Sequence, residues 1–425
     1  MKLITEHLLI RACLICLIVG LGFQNCNKLE PTKSQMLSSE ITGDGGDGDG
    51  EIDNPGAAAR IAKLKKMLEP NLVSNCFDNT QYNACIFWKN PVAQNNKAFS
   101  APITFDADLS PYQTHAVKLE GYDNSGLLQN PSFRIFAANV VAQRFESVST
   151  SSGLFKFEYP NDNSHKMGQV MAFYWLNLQL QYMKEWTGNF FASNKKIDVI
   201  SFVPEIENAF WDDEKSEVVI GATLAGNEFA LSAEVYAHEM GHANVTYATN
   251  KKVVETVGEF KSAACSDGVC CSDDSGCSWA INEGLADYHM GLLFPDSTEM
   301  LETIVNNPIG LRECNVTRSI SLNRNLTSAQ SYNACAAPYK GEVHLMGRVY
   351  ASIWWEVRKK ADAANPDKGA QEVDKLFTSH LPALEGRDDF ITVYDKIIAT
   401  DKALFSGKYS DFFTSEFNRR GIGIN

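Results

Sequence analysis

The chain has no Lys- or Arg-rich run, and its 38 Lys and Arg are outnumbered by 52 Asp and Glu, for a net charge of −14. Without a basic stretch there is no electrostatic basis for gripping a phosphate backbone, so no nucleic-acid partner is expected. A second long apolar run is also missing. The one such stretch, ACLICLIVGLGF near the N-terminus, is too short for a comfortable membrane span, and nothing after it is long and apolar enough to be one. No internal repeat of fixed period is present, which removes solenoids and propellers. What remains is 425 residues, 44% hydrophobic and 11% aromatic. That is enough to bury one large core or two lobes sharing a cleft.

The N-terminus reads as an export signal over residues 1–25. Lys2 and Arg11 precede the apolar run, which ends near Cys26. An uncleaved membrane anchor is the alternative. Phe23-Gln24-Asn25 ahead of Cys26 only loosely matches a bacterial lipoprotein cleavage box, which normally has leucine three positions before the cysteine and a small residue directly before it. Cysteine arithmetic favours that box. If Cys13 and Cys16 leave with the leader and Cys26 carries lipid, the rest of the 11 cysteines form an even set suited to an oxidising compartment. The expectation is a lipoprotein of the bacterial cell envelope, held to the membrane only by its lipid, with plain secretion as the alternative. Residues 26–56 contain ITGDGGDGDGEIDNPG and read as an acidic, flexible tether. An EF-hand register starting at Asp47 would put Ile52 at the glycine position and Ala58 at the bidentate Glu position, so calcium is not supported.

AAARIAKLKKMLEP reads as a short amphipathic helix stopped by Pro70, and Cys76 with Cys85 as a small closed loop. From about 100 to 160, runs such as FRIFAANVVAQRF and GLFKFEY between turn signals suggest strands. MGQVMAFYWLNLQLQYMKEW has the length and spacing of a buried helix, and KKIDVISFVPEI and SEVVIGATLAG look like strands. After about 232 helices dominate. One starts at an N-cap Ser232 with Glu234 in its first turn and carries Leu231, Val235, His238 and His242 down one side. A second begins near Ser278. A third is VHLMGRVYASIWWEVRKKAD, with Leu345, Val349 and Ile353 as its core stripe.

The first of these helices contains HEMGH, residues 238–242. Histidines at i and i+4 project from one face a turn apart, so both imidazoles can reach a single zinc ion. Glu239 lies one step round the same turn, where its carboxylate can take a proton from a water at the metal's open position. Such a water ionises near pH 7 on zinc. The pattern alone arises by chance in about one chain of this length in a hundred, so a third ligand matters. NEGLADYH offers Glu283 from the second helix, with Asp287 four residues on, where it could hydrogen-bond the outer nitrogen of a ligating histidine. Two histidines, one glutamate and an open position make a hydrolytic rather than a structural site. His115, His165, His289 and His380 have no such context. His115 and His165 read as loop residues, His289 and His380 as structural.

HEMGH followed by NEGLAD resembles the gluzincin metallopeptidases, specifically the thermolysin and fungalysin-like group. Further segments agree in order: MAFYWLN at 171–177, NAFWDDEKSEVVIG at 208–221, and GEVHLMGRVYASIWWEVR, which is similar to the fungalysin-type VHxxGxVWAxxLWEV signature. The resemblance spans roughly residues 138–360. It implies one catalytic zinc ion on His238, His242 and Glu283, with Glu239 as general base and Asp287 orienting a ligand. It also implies Asn208 and Ala209 holding the substrate backbone and His344 stabilising the oxyanion, a role worth several kcal/mol in a dry cleft.

The chain departs from the family's pattern in places. The linker between His242 and Glu283 is longer than in thermolysin and holds CSDGVCCSDDSGC. The family's tyrosine donor is therefore unassigned, with Tyr247 a weak candidate. Tyr339 stands where thermolysin has an aspartate, and the substrate-binding arginine is Arg318 in preference to Arg312. The four cysteines of residues 265–277 suit two local disulfides at a cleft rim better than a second zinc, and Cys314 with Cys335 would be another bridge.

The expected fold is α+β, a two-lobed zincin with a β-rich N-terminal lobe, a mainly helical C-terminal lobe and the zinc cleft between them. Residues 57–137 form an N-terminal helix and β-rich segment. The β-rich catalytic lobe covers 138–245 and includes the HEMGH helix. The helical lobe covers 246–425 with its disulfide-rich insertion. The expected activity is a zinc-dependent endopeptidase acting on peptide or protein substrates. The alternatives are a zinc aminopeptidase, which needs a group to capture a free amine, and a non-catalytic surface binding protein that keeps the fold. The asparagines of NVT at 244 and 315 and of NLT at 325 match glycosylation sequons.

Overall fold

The structure is a computed structural model. It describes residues 66–68, 73, 76–88, 115–157 without 124, 165–222 without 205 and 207, 228–250, 276–294, and 343–424 without 387, 421 and 423. All of these lie within one compact unit, Lys63–Asn425. The leader and tether, Cys26, the cysteine-rich insertion up to residue 275, Cys314, Cys335, Arg312, Arg318, Tyr339, Asn315 and Asn325 lie outside the described residues.

A short antiparallel pair comes first: β1 (Ala84–Ile86) against β2 (His115–Val117). A disulfide joins Cys76 to Cys85 at the start of this pair, as the sequence suggested. Lys156 seals the loop from outside. Its Nζ donates to the carbonyls of Cys76 at 3.0 Å, Phe77 at 3.2 Å and Asn79.

The main sheet has five strands. β3 (Phe133–Asn139), β5 (Ile197–Ile200) and β7 (Glu217–Ile220) run parallel. β4 (Arg144–Glu146) and β6 (Ala209–Asp212) are antiparallel edges, giving the order β4-β3-β5-β7-β6. In FRIFAAN, Phe133, Ile135 and Ala137 are fully buried while Arg134 between them is exposed, the alternation of a strand with one covered face. Register is pinned on the open face, where Arg134 lies opposite Asp198 and donates from Nε to Oδ1 at 2.6 Å. β3 runs unbroken through position 138.

α1 (Lys166–Thr187) covers the buried face of β3, packing Met167, Val170, Met171, Phe173 and Trp175 inward. It ends at Gly188 with φ 77°, a left-handed cap that glycine adopts without Cβ strain. A 3-10 turn (Phe229–Leu231) leads into α2 (Ala233–Ala248). The helical part follows: α3 (Gly276–Leu293), α4 (Val343–Ala364), α5 (Gly369–His380), α6 (Phe390–Phe405) and α7 (Ser410–Arg419). The chain is therefore α+β, with a sheet-bearing N-terminal part and a helical C-terminal part. α2 packs on β6 and β7 on one side and α3 on the other. Among the described residues no helix is long and apolar enough to cross a membrane.

A buried carboxylate ties the helical part to α1. Asp374 on α5 is fully buried and accepts from Trp186 Nε1 at 2.7 Å, Tyr288 hydroxyl at 2.6 Å and Arg358 Nε at 3.0 Å. Three donors, one of them a guanidinium, satisfy the charge that burial would otherwise make costly.

Several expectations need correction. GLFKFEY forms no strand across its described residues: Phe155 alone makes an isolated parallel bridge, to Ala84 at the start of β1, with its N–H donating to Asn83 O at 2.7 Å. His115 is not in a loop; it opens β2 and is buried, where desolvation lowers its pKa to about 4. His165 does lie outside any helix or strand, at the N-cap of α1, where it pairs through Nδ1 with Glu228 Oε1 at 2.7 Å and stacks on Phe202. Ser232 does precede α2, but its hydroxyl caps no backbone amide and turns instead to the Glu234 carboxylate.

Candidate metal centre

α2 is buried on nearly every side, from Ala233 through Thr246, so its small residues serve contact with neighbours rather than an amphipathic stripe. Gln179 Nε2 on α1 donates to Ala237 O at 2.9 Å, and Tyr236 hydroxyl donates to Gly168 O at 3.0 Å. These two bonds hold the HEMGH turn against α1.

The third candidate ligand, Glu283, arrives through two close helix crossings. A methyl on Gly241, the glycine of HEMGH, would stand 2.8 Å from Ala286 Cα on α3. A methyl on Gly347 would stand 2.7 Å from Glu283 Cβ and 2.8 Å from Gly284 N. Real side-chain carbons do not sit that close to backbone. Glycine at these places thus lets α3 press between α2 and α4, and carries Glu283 and Asp287 to the histidines.

His238 Nε2 and His242 Nε2 are 3.1 Å apart with their rings nearly perpendicular. Glu283 Oε2 is 3.3 Å from His238 Nε2, and its Oε1 is 3.8 Å from His242 Nε2. Ligands about 2.1 Å from a tetrahedral zinc ion stand about 3.4 Å from one another, so these spacings fit the ion. Among the described residues this is the one group of three such side chains that converges in this way. Asp287 Oδ1 lies 3.0 Å from His238 Nδ1, behind the ring. Glu239 is buried on the same turn, near enough for its charge to favour the His238 cation.

Electrostatics separates the two histidines. Burial opposes a charge on His238, but the Asp287 and Glu283 carboxylates close to its ring outweigh it and raise its pKa well above the ordinary imidazole value. Burial dominates at His242 and pushes it down to about 4. Three donors and a cationic proton packed into one spot leave a place where a metal ion can substitute for the proton.

Comparison with known proteins gives the family. The model for the fungalysin metallopeptidases (M36) matches residues 198–425, over half of the chain. The chain belongs to the fungalysin metallopeptidases. The model for the thermolysin metallopeptidase catalytic domain matches residues 111–246, which include HEMGH. The chain is thus a zinc metallopeptidase of the thermolysin and fungalysin-like group, acting on peptide or protein substrates. Among solved structures it is similar to the precursor of protealysin, a metalloproteinase from Serratia proteamaculans, at 12% identity and a TM-score of 0.43, covering 79% of this chain and 97% of that one. No curated protein matches.

In this peptidase the other expected site residues are distributed unevenly. Asn208 is exposed and Ala209 half-buried at the start of edge strand β6. Trp211 on that strand donates from Nε1 to Thr246 Oγ1 at 3.1 Å, fastening the edge to α2. The Tyr247 hydroxyl donates to Ser216 Oγ at 2.9 Å in the β6–β7 turn. The backbone of His344 lies in the first turn of α4, as expected, while its side chain and that of Leu345 lie outside the described residues. Val349 and Ile353 are fully buried. His289 and His380 are buried and neutral, and each has Nδ1 against a backbone carbonyl, of Leu285 and Phe377 respectively.

Two residues escaped the sequence reading. Asn282, next to Glu283, bears on His242, though its Oδ1 and the ring's Nδ1 lack an aligned hydrogen bond. Asn244, noted only as a sequon, is fully buried with both amide ends in hydrogen bonds. A glycan there is incompatible with the folded chain.

Proposed function

We propose that this peptidase is a zinc-dependent endopeptidase whose metal is held by His238, His242 and Glu283. The observation that carries the reading is the convergence of those three side chains within ligand spacing, with Glu239 on the same turn. Bound zinc supplies a Lewis acid that acidifies a water and draws electron density from a carbonyl. The remaining work belongs to the chain. Glu239 takes a proton from the attacking water and later delivers it to the leaving amine. Asp287, behind His238, holds that ring by its Nδ1–H and keeps Nε2 free to act as a ligand. Asn208 and the Ala209 carbonyl bind the substrate backbone along the β6 edge, and His344 donates to the oxygen that gains charge. Arg318 binds the substrate as well. The disulfide-rich segment at 265–277 selects substrates from the rim.

The same proposal extends to location. Residues 1–25 act as an export signal, Cys26 carries lipid, and residues 26–56 tether the enzyme to the cell envelope. Export accords with the even cysteine set and with the Cys76–Cys85 disulfide.

The test uses zinc-loaded protein with a pool of N-terminally blocked and unblocked peptides, beside Glu239→Gln. The expected result is cleavage of internal bonds in blocked peptides by the wild type, and zinc binding without cleavage by the variant. Cleavage restricted to unblocked N-termini would make it an aminopeptidase. Zinc binding with no cleavage by either protein would make it a binding module on this fold.

A further inference from the structure

α2 and α3 carry all three proposed metal ligands, yet no ligand fixes how the helices are placed along each other. The close contact at Gly241 sets only their separation. A slide of one residue along α3 would carry Glu283 about 1.5 Å past the histidines, well beyond the roughly 0.5 Å within which such a site must be held.

A buried polar joint lies just beyond the ligands. Asn244, two residues after His242, is fully buried, and so is His289, two residues after Asp287. His289 Nδ1 lies 2.8 Å from Leu285 O, a contact that only an N–H can make. Its Nε2 is therefore the bare acceptor, and it receives the Asn244 Nδ2 donor at 2.7 Å. The other end of the amide is occupied too. Asn244 Oδ1 accepts from Phe191 N at 2.7 Å, in the 3-10 turn ahead of β5. The His289 ring is held edge-on by Phe377 of α5 at 4.8 Å and by Phe190. Every polar atom of the pair thus has a partner, Asn244 Oδ1 also accepting from Ala192 N at 3.4 Å, in one tautomer and one amide orientation.

We infer that Asn244 and His289 form a positioning joint that sets the register of α2 against α3, and through it the geometry with which His238, His242 and Glu283 grip zinc. Neither residue is among the proposed ligands; both act through the helices that carry them. A directional bond between two fully buried partners suits this role, because any other register leaves both of them unpaired. Apolar packing alone would tolerate a slide that this pair does not. The inference rests on the ligand assignment proposed above, so its test must separate the two.

The experiment measures zinc affinity by competition with a chelator, and the unfolding temperature of the zinc-free protein, for the full chain and five variants. These are Glu283→Gln, His289→Phe, His289→Gln, Asn244→Leu, and Asn244→Leu with His289→Phe. In His289→Gln the amide oxygen can stand where Nε2 stood and accept the same bond. The expected result is a loss of zinc affinity of about tenfold or more in His289→Phe and Asn244→Leu. His289→Gln should stay within a few-fold of wild type, and the double variant should lose less than the two single losses multiplied together. If the single variants lower only the unfolding temperature of the zinc-free protein and leave zinc affinity unchanged, the joint is structural and the inference fails. If Glu283→Gln also binds zinc normally, the ligand assignment has failed as well. If Glu283→Gln loses zinc while the joint variants do not, the inference fails alone. Should His289→Phe not fold, the comparison of His289→Gln with Asn244→Leu decides by the same criterion.

Discussion

Asp287 shows how much chemistry a residue off the metal can carry. Its Oδ1 lies 3.0 Å behind His238, on the nitrogen that faces away from Glu283. Replacing it with Asn keeps the shape and removes the charge that makes Nε2 basic. Zinc affinity should drop by about 10–100-fold in Asp287→Asn, as measured by chelator competition, with the fold intact by circular dichroism. Unchanged affinity would mean that the contact is incidental. Glu239→Gln is expected to do the reverse, keeping zinc while turnover disappears.

Helix crossings govern the next level of organisation. Gly347 meets Glu283 Cβ and Gly284 N at distances that forbid a methyl group. Gly347→Ala should push α4 off α3, lower stability by about 1–3 kcal/mol, and weaken zinc binding at the same time because Glu283 moves with the contact. Calorimetry and chelator competition would check this together, and a stability loss with unchanged zinc affinity would show that Glu283 is not positioned by α4. The edge strand offers a separate test. Trp211→Phe removes the hydrogen bond to Thr246 that fastens β6 to α2. If β6 holds substrate, KM should rise while kcat changes little; an unaltered KM would remove β6 from the binding surface.

Taken together, the buried histidines set a pH dependence of the fold that does not involve the metal. Desolvation lowers His115 to about 4 and His380 to about 3 in the folded protein, against about 6.5 in an unfolded chain. As pH falls below about 6.5 the unfolded chain takes up protons that the folded chain refuses, so stability present above that value is lost toward pH 4. Each histidine contributes a slope of up to about 1.4 kcal/mol per pH unit. The unfolding temperature of zinc-free protein should therefore fall between pH 7 and pH 5, and fall less in His380→Gln. An identical decline in both proteins would contradict the assignment.

The features legible from the chain were those that local periodicity specifies. HEMGH and NEGLAD each lie within one or two helical turns, so spacing alone puts His238 beside His242, and Glu283 beside Asp287, before any tertiary contact forms. The long helix at 166–187, the strands at 197–200 and 217–220, and the core positions Val349 and Ile353 were readable for the same reason. Folding alone determined which distant segments meet. GLFKFEY had a strand's composition but met β1 only at Phe155. Tyr247 turned to Ser216, His165 became the partner of Glu228, and a sequon asparagine became a buried joint to His289. A hydrogen bond between residues 45 positions apart leaves no period in the chain. Nor does a glycine chosen to admit another helix look different from one in a turn. Those choices become visible only when both partners stand in the same place.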